Sequence, residues 1–161
     1  MTIVVTLHIY QPMNAYHLAQ VNVASAKAEM TTETMQGFMA QLDAMNHLAD
    51  TADGFIWRML GEGGDYTSIR PFDDPLVIMN VSLWRDVESL KNYVYKTPHM
   101  EIIRARHAWF DKMEEIQQAL WWIPAGQLPT ALEARGKLEL LRRLGATEEA
   151  FTFAQVFPAP A

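Results

Sequence analysis

The segment from Pro98 to Gln118 places two groups that could do chemistry, His99 and Arg106, at helical spacing. At about 100° per residue, its apolar side chains share one face of a predicted helix, and Arg106 falls near the centre of that face. An arginine keeps its charge at neutral pH and is seldom buried without a partner. Arg106 is therefore predicted to meet either a fixed carboxylate or an oxygen atom of a ligand.

The two groups suit complementary catalytic roles. A neutral imidazole has a pKa close to working pH, so His99 could act as a general acid or base. A fixed guanidinium in a dry site could stabilise negative charge that develops on a carbonyl or enolate oxygen, which is the role predicted for Arg106. Structural roles stay open for both residues, as a helix-start cap or core histidine for His99 and as an ion pair for Arg106.

Other polar and aromatic side chains lie on predicted strands and helices whose neighbours are apolar. A few polar groups converging in an aromatic cavity are typical of small-molecule sites, although an aromatic residue at strand spacing also suits an ordinary core. The predicted substrate-binding residues are Gln20, Asn22, Trp57, Asn80, Trp84, Tyr93, Trp109 and Trp122.

The elements that must position these groups follow from hydrophobic periodicity. Strands are predicted at HLAQVNVA, GFIWRMLG, PLVIMNVSLW and ALWWIPAG, and helices over residues 31–50, from Asp86 to about Tyr95, and from Pro98 to about Gln118. This β-α-β-β-α-β order predicts a ferredoxin-like α+β fold, an antiparallel sheet with helices on one face. An appended helix, PTALEARGKLELLRRLG, and a final strand, AFTFAQVF, complete a single domain over residues 16–157. Residues 1–15 are predicted to form an extra strand or arm, and residues 158–161 a tail.

Composition excludes several classes of protein. The net charge of −6 disfavours nucleic acid as a partner, because a phosphate backbone is bound by clustered Lys and Arg. The absence of cysteine excludes disulfides, thiol catalysis and zinc–thiolate sites, and the five histidines show no metal-ligand spacing. The absence of cysteine fits a cytoplasmic location, and the apolar run MTIVVTLHIY is too short to span a bilayer and is a poor signal peptide, so no membrane partner is expected.

The strands carry apolar residues on both faces, and the helices of the predicted fold cover only one of them. Val77, Met79, Val81 and Leu83 lie on one side of the third strand, with Ile78 and Trp84 on the other. An uncovered apolar sheet would exceed the few hundred Å² of apolar patch that soluble monomers tolerate. Face-to-face pairing of two copies is therefore predicted, giving a homodimer.

Several motifs together resemble a known bacterial family, defined only as a domain of unknown function (number three-two-nine-one). They are HLAQVNVA, GFIWRM, VNVSLWRDVESLKNYVYKTPH, RARHAWF, LWWIPAGQLPTALEA and GATEEAFTF, and the likeness runs from about Tyr16 to Phe157. The resemblance implies the dimeric α/β-barrel superfamily, which includes cofactor-independent antibiotic-biosynthesis monooxygenases, polyketide cyclases and haem enzymes. Trp84 and His99 occupy the places of the strand-ending Trp and the Ser/Thr-x-His of the monooxygenase pattern.

The resemblance and the predicted helix face together favour a metal-independent enzyme of specialised metabolism. It would be an oxygenase or a cyclase that binds an apolar, oxygenated substrate between sheet and helices and needs no cofactor. One alternative is a haem protein with His99 as axial ligand and Arg106 near a propionate. Another is a non-catalytic ligand-binding or structural dimer. An open cavity with Arg106 on its wall favours catalysis, whereas a filled space with Arg106 tied to a carboxylate favours the structural role.

Overall fold

A computed structural model describes residues 15–61, 71–96, 101 and 104–161. The described strands are β1 (Tyr16–Ala26), β2 (Phe55–Arg58), β3 (Val77–Trp84), β4 (Phe110–Asp111) and β5 (Gln118–Pro124). The α-helices with described bounds are α1 (Gln36–Asp50), α2 (Val87–Lys96) and α3 (Ala131–Leu144), and short 3-10 helices cover Glu33–Met35 and Arg106–Ala108. The predicted N-terminal strand or arm falls, except for its last residue, outside the described residues.

The strands form one antiparallel sheet in the order β2-β3-β1-β5, with β4 pairing beside β5 along the same edge of β1. Asn22 lies opposite Asn80 across β1 and β3, and opposite Gln118 across β1 and β5. This order and the intervening helices confirm the predicted ferredoxin-like α+β fold. None of the helices in the described ranges is long and apolar enough to cross a membrane.

Successive side chains along the central strands point to opposite sides of the sheet, so the sheet has one apolar face and one polar and aromatic face. One face is apolar and packs against α3, whose Ala134, Leu138 and Leu141 are almost completely buried. Its strand residues are Ala19, Val21, Val23, Met79, Val81, Leu83, Ala119, Trp121 and Ile123. The other face carries polar and aromatic residues toward α1 and α2, so the sheet lies between two helical layers.

The expectation that one sheet face lacks a helix is wrong. The appended helix α3 folds back over the apolar face, and Val21, Met79 and Val81 are 0% exposed within a single chain. Thr130 caps the start of α3 by accepting a hydrogen bond from the Glu133 amide at 3.0 Å, and Gly145 ends it with a φ of +73°. The homodimer stays a prediction, but it no longer has an uncovered apolar face to support it.

The predicted helix from Pro98 to Gln118 is wrong over its second half. The backbone there pairs with β1 instead: Phe110 and Asp111 form β4, and the Val23 amide donates to the Gln117 carbonyl at 2.9 Å. The apolar side chains predicted to share one helix face lie in two different places. Trp109 and Phe110 pack near α1, whereas Met113 packs on the α3 side of the sheet. Strand pairing and tertiary packing override the helical periodicity.

The predicted final strand AFTFAQVF is also wrong. Only Phe151 pairs with β5, through two 2.8 Å backbone hydrogen bonds with Leu120. Isolated bridges join Thr147 to Ala150 and Thr152 to Gln155, so the chain turns rather than extends. This segment packs Phe151 and Phe157 against the polar and aromatic side of the sheet near α2.

Burial of Leu138 provides a direct test of how α3 is packed. Leu138→Ala should lower the unfolding free energy by about 2–5 kcal/mol, because it leaves a cavity between α3 and the sheet. Leu132→Ala on the same helix should change it by less than about 0.5 kcal/mol, because Leu132 is 73% exposed. Urea unfolding of both variants measures the difference, and equal effects would contradict the packing of α3 on the sheet.

Candidate active site

A cavity of about 620 Å³ lies between the second face of the sheet and the elements that cover it, α1, α2 and the segment 106–113. Its sheet side is polar and its remaining walls are largely aromatic and aliphatic. The polar side chains come from Gln20, Asn22, Asn80, Ser82 and Gln118, and the aromatic ones from Phe38, Phe55, Trp84, Tyr93, Tyr95, Trp109, Phe110 and Phe153. Apolar enclosure with a few convergent polar groups is typical of small-molecule sites.

Gln20 organises the polar side of the cavity. Its amide nitrogen donates to Ser82 Oγ at 3.0 Å, and its amide oxygen accepts from Asn22 Nδ2 at 3.4 Å and Gln118 Nε2 at 3.2 Å. Gln20 is 3% exposed, so these bonds satisfy an amide that would otherwise be costly to bury. The network fixes polar groups from β1, β3 and β5 beside one another.

Ser82 is placed to donate a hydrogen bond into the cavity. Its Oγ accepts from Trp84 Nε1 at 2.9 Å and from Gln20 Nε2 at 3.0 Å. An indole N–H can only donate, and a hydroxyl oxygen has two acceptor positions. With both positions occupied, the hydroxyl hydrogen of Ser82 is available to a further acceptor, and Ser82 lies on the cavity surface.

Trp84 and Tyr93 form a stacked aromatic wall at the α2 end. Their ring centroids are 5.0 Å apart with 28° between the ring planes. Burial raises the pKa of Tyr93 to about 12, with the charge of Arg58 acting in the opposite direction and that of Asp50 in the same direction. The Tyr93 phenol is therefore protonated at neutral pH and can serve as a hydrogen-bond donor.

Arg58 brings a largely buried positive charge to the same end of the cavity. Its side chain is 13% exposed, and Nη2 donates to the Asn46 carbonyl at 3.1 Å and to the carboxylate of Asp50. The guanidinium carbon lies 5.4 Å from the centre of the Phe55 ring. This placement follows from a β-bulge between Phe55 and Trp57, which puts Trp57 opposite Leu83 and Arg58 opposite Ser82.

Trp109 closes the opposite end of the cavity against α1. Its ring lies 5.9 Å from that of Phe38, and a Cβ added at Gly37 would come 3.1 Å from Trp109 Nε1. The glycine therefore allows the close approach of indole and helix. Arg106, three residues earlier in the chain, lies on the cavity wall but is exposed, which corrects the expectation that it occupies a buried helix face.

The structure brings most of the sequence-predicted site residues to one cavity. Those on its wall are Gln20, Asn22, Asn80, Trp84, Tyr93, Trp109 and Arg106. Trp57 lies elsewhere, against the core beneath α3. Trp122 is on the correct face of β5 but donates to the Phe157 carbonyl at 2.8 Å and is covered by the C-terminal segment. His99 lies outside the described residues, so its catalytic role stays a prediction.

Sequence reasoning missed three polar residues that β2, β3 and β5 place on the cavity wall, Arg58, Ser82 and Gln118, and the polar wall residues of α1 and the segment 107–117. Ser82 and Gln118 share faces with Asn80 and Asn22, so strand alternation contained a signal for both. Arg58 had no such signal, because the bulge that turns it toward the cavity is a feature of strand pairing and not of the local sequence.

The described part of the cavity wall offers few ligands for a metal ion or a haem iron. Among the described residues, no group of three or more His, Asp or Glu is arranged to hold a metal ion. His107 is the one histidine among the described residues of the cavity wall, and it is exposed. An exposed histidine does not fit the role of an enclosed axial ligand to haem. Ligation by His99 stays a prediction.

Fold and cavity together define an α+β domain with a site between its sheet and its helices. The chain belongs to the family described as a domain of unknown function, DUF3291, which matches residues 17–161. No curated protein matches the chain.

Three solved structures are similar to the chain in fold. A conserved protein from Methanosarcina mazei Go1 is 16% identical with a TM-score of 0.49, over 68% of this chain and 93% of that protein. Protein SO0527 from Shewanella oneidensis is 11% identical with a TM-score of 0.48, over 68% and 93%. SnoaB, a cofactor-independent oxygenase from Streptomyces nogalater, is 14% identical with a TM-score of 0.47, over 71% and 97%.

Alkaline titration tests the environment of Tyr93. A raised phenol pKa contributes stability that is present below about pH 10 and is lost as pH rises through about 12. At about 1.4 kcal/mol per pH unit, this contribution is on the order of 3 kcal/mol. Tyrosinate absorbance should show a late step that belongs to Tyr93, and Tyr93→Phe should remove that step and flatten the stability loss. A Tyr93 that titrates near pH 10 would contradict the buried placement.

Proposed function

We propose that the protein is a metal-independent enzyme of the oxygenase or cyclase type, acting on a largely apolar small molecule that carries carbonyl or hydroxyl oxygens. The observation that carries the proposal is the cavity of about 620 Å³. Its sheet side carries a row of polar side chains, called here the polar row, and aromatic walls surround the rest. The polar row consists of Gln20, Asn22, Asn80, Ser82 and Gln118. Aromatic walls suit the apolar body of such a substrate, and the polar row suits its oxygens.

The polar row supplies donors for an oxygen that gains charge during reaction. Ser82 has a hydroxyl hydrogen to donate, and the amides of Asn22 and Asn80 lie beside it on the same face. Donors fixed in place before reaction stabilise a developing enolate or phenolate most effectively where water is excluded. The anion could then react with oxygen or close a ring onto a carbonyl carbon. The base that removes the proton is predicted to be His99.

The non-catalytic alternative has less support. It requires a filled space between helix and sheet with Arg106 tied to a carboxylate. The space is open, and within the described ranges Arg106 makes no ion pair. The cavity alone also suits a protein that binds its ligand without reaction, so turnover has to be measured separately from binding.

Ligand retention by matched variants tests the proposal. The protein would be incubated with neutral aromatic ketones, lactones and quinones and examined by native mass spectrometry. Asn80→Leu removes a polar group from the cavity and should weaken retention about 10-fold, the effect of one lost hydrogen bond of roughly 1.4 kcal/mol. Gln127→Leu changes an exposed amide in the turn after β5 and should retain ligand like the wild type.

Turnover of a retained compound in the presence of a chelator then tests the chemistry. Oxygen uptake would identify an oxygenase, and conversion without oxygen uptake would identify a cyclase. Failure to retain any member of the set, or equal retention by Asn80→Leu and the wild type, would contradict the proposed site. Retention without turnover would leave a binding protein and refute the enzymatic proposal.

A further inference from the structure

Arg58 differs from the other described arginines of the chain in being a largely buried cation on the cavity wall. Its side chain is 13% exposed, whereas that of Arg85, which is paired with Asp53 on the surface, is 44% exposed. Desolvating a guanidinium is costly unless its donors and its charge are both satisfied. Its described partners do not satisfy it completely.

The hydrogen bonds of Arg58 leave much of its donor capacity unused. A guanidinium has five N–H donors, and the bonds to Asn46 and Asp50 both come from Nη2. No described residue accepts a hydrogen bond from Nε or Nη1, and Arg58 lines the cavity. These donors are therefore available to a molecule that enters the cavity.

The counter-charge of Arg58 is also incomplete. The Asp50 side chain is 50% exposed, so water screens its carboxylate, whereas Arg58 is turned inward. Tyr93 lies on the wall at the same end, and burial keeps its phenol neutral, so it adds no negative charge there. The other charged or titratable groups on the described wall are Tyr95 on α2 and Arg106, His107, Asp111 and Lys112 on the segment 106–112, and all five are exposed. The α2 end therefore presents donors and one positive charge to the cavity.

We propose that Arg58 forms an oxyanion subsite, and that the cavity takes a substrate with an acidic phenol or enol and holds it as the anion. The inference rests on the proposed function and specifies its substrate class. Arg58 would supply charge-assisted hydrogen bonds to the anionic oxygen, which are stronger than those between neutral groups. The aromatic walls would hold the carbon skeleton, and Ser82 and the amides would hold a second, conjugated oxygen, on which charge develops during reaction.

Two coumarins of nearly the same shape test the subsite. The phenol and phenolate of 7-hydroxycoumarin absorb at different wavelengths, so its ionisation can be followed while it is bound, and 7-methoxycoumarin cannot ionise. The wild type should bind the phenolate roughly 10–100-fold more tightly than the phenol, the range expected for charge-assisted bonds. Binding should therefore shift the ionisation of 7-hydroxycoumarin to lower pH.

The variants separate the subsite from the rest of the cavity. Arg58→Gln should abolish the preference for the phenolate and leave the affinity for 7-methoxycoumarin within about 3-fold of the wild type. Arg85→Gln removes an equal charge from an exposed pair outside the cavity and should keep the full preference. Arg58→Lys keeps the charge but loses the planar fork of donors, so it should keep only part of the preference, and it decides the matter if Arg58→Gln does not fold.

Three outcomes would overturn the inference. They are a wild type that shows no preference for the phenolate, an Arg58→Gln or Arg58→Lys protein that keeps the full preference, and an Arg85→Gln protein that loses it. In each case binding of 7-methoxycoumarin would leave the proposed function intact. Failure of the wild type to bind either coumarin would count against the proposed function and against the subsite with it.

Discussion

The hydrogen bonding of Gln20 is the constraint on which the site depends. A buried amide has two donors and an oxygen to satisfy, and here its partners come from β1, β3 and β5. Those bonds fix Ser82, which in turn accepts from Trp84. A single polar residue in the central strand thereby sets the positions of a hydroxyl, two amides and an indole. Replacing it by an apolar residue would leave several of them without partners.

One face of the sheet contributes mainly to stability, and the other face forms the binding cavity. The apolar face is buried beneath α3, and it supplies the close packing that holds β1, β3 and β5 together. Because that face is covered within one chain, the other face can keep polar groups and open space that contribute little to stability. The cavity and its partly satisfied Arg58 are therefore sustained by packing on the far side of the sheet.

The local pattern of apolar and polar residues was sufficient to predict those strands and helices that have one apolar face and one polar face. β1, β3, β5, α1 and α3 follow from alternation, helical periodicity and the Thr130 cap, so the fold could be predicted, together with Gln20, Asn22 and Asn80 of the polar row. The segment 109–117 could not, because its backbone hydrogen bonds go to the edge of β1. The sides on which Trp57 and Arg58 lie could not be predicted either, since a bulge between Phe55 and Trp57 breaks the alternation.

The tryptophans offer the most direct measurement of the central claim, that ligand binds between the sheet and its α1 and α2 layer. The chain has five, and their indole N–H groups give separate signals in a ¹H–¹⁵N spectrum. Trp84 and Trp109 line the cavity, whereas Trp57, Trp121 and Trp122 do not. Titration with 7-methoxycoumarin should move the signals of the first two and leave the other three in place. Movement of the Trp57 and Trp121 signals while those of Trp84 and Trp109 stay still would place the ligand beneath α3 and contradict the account.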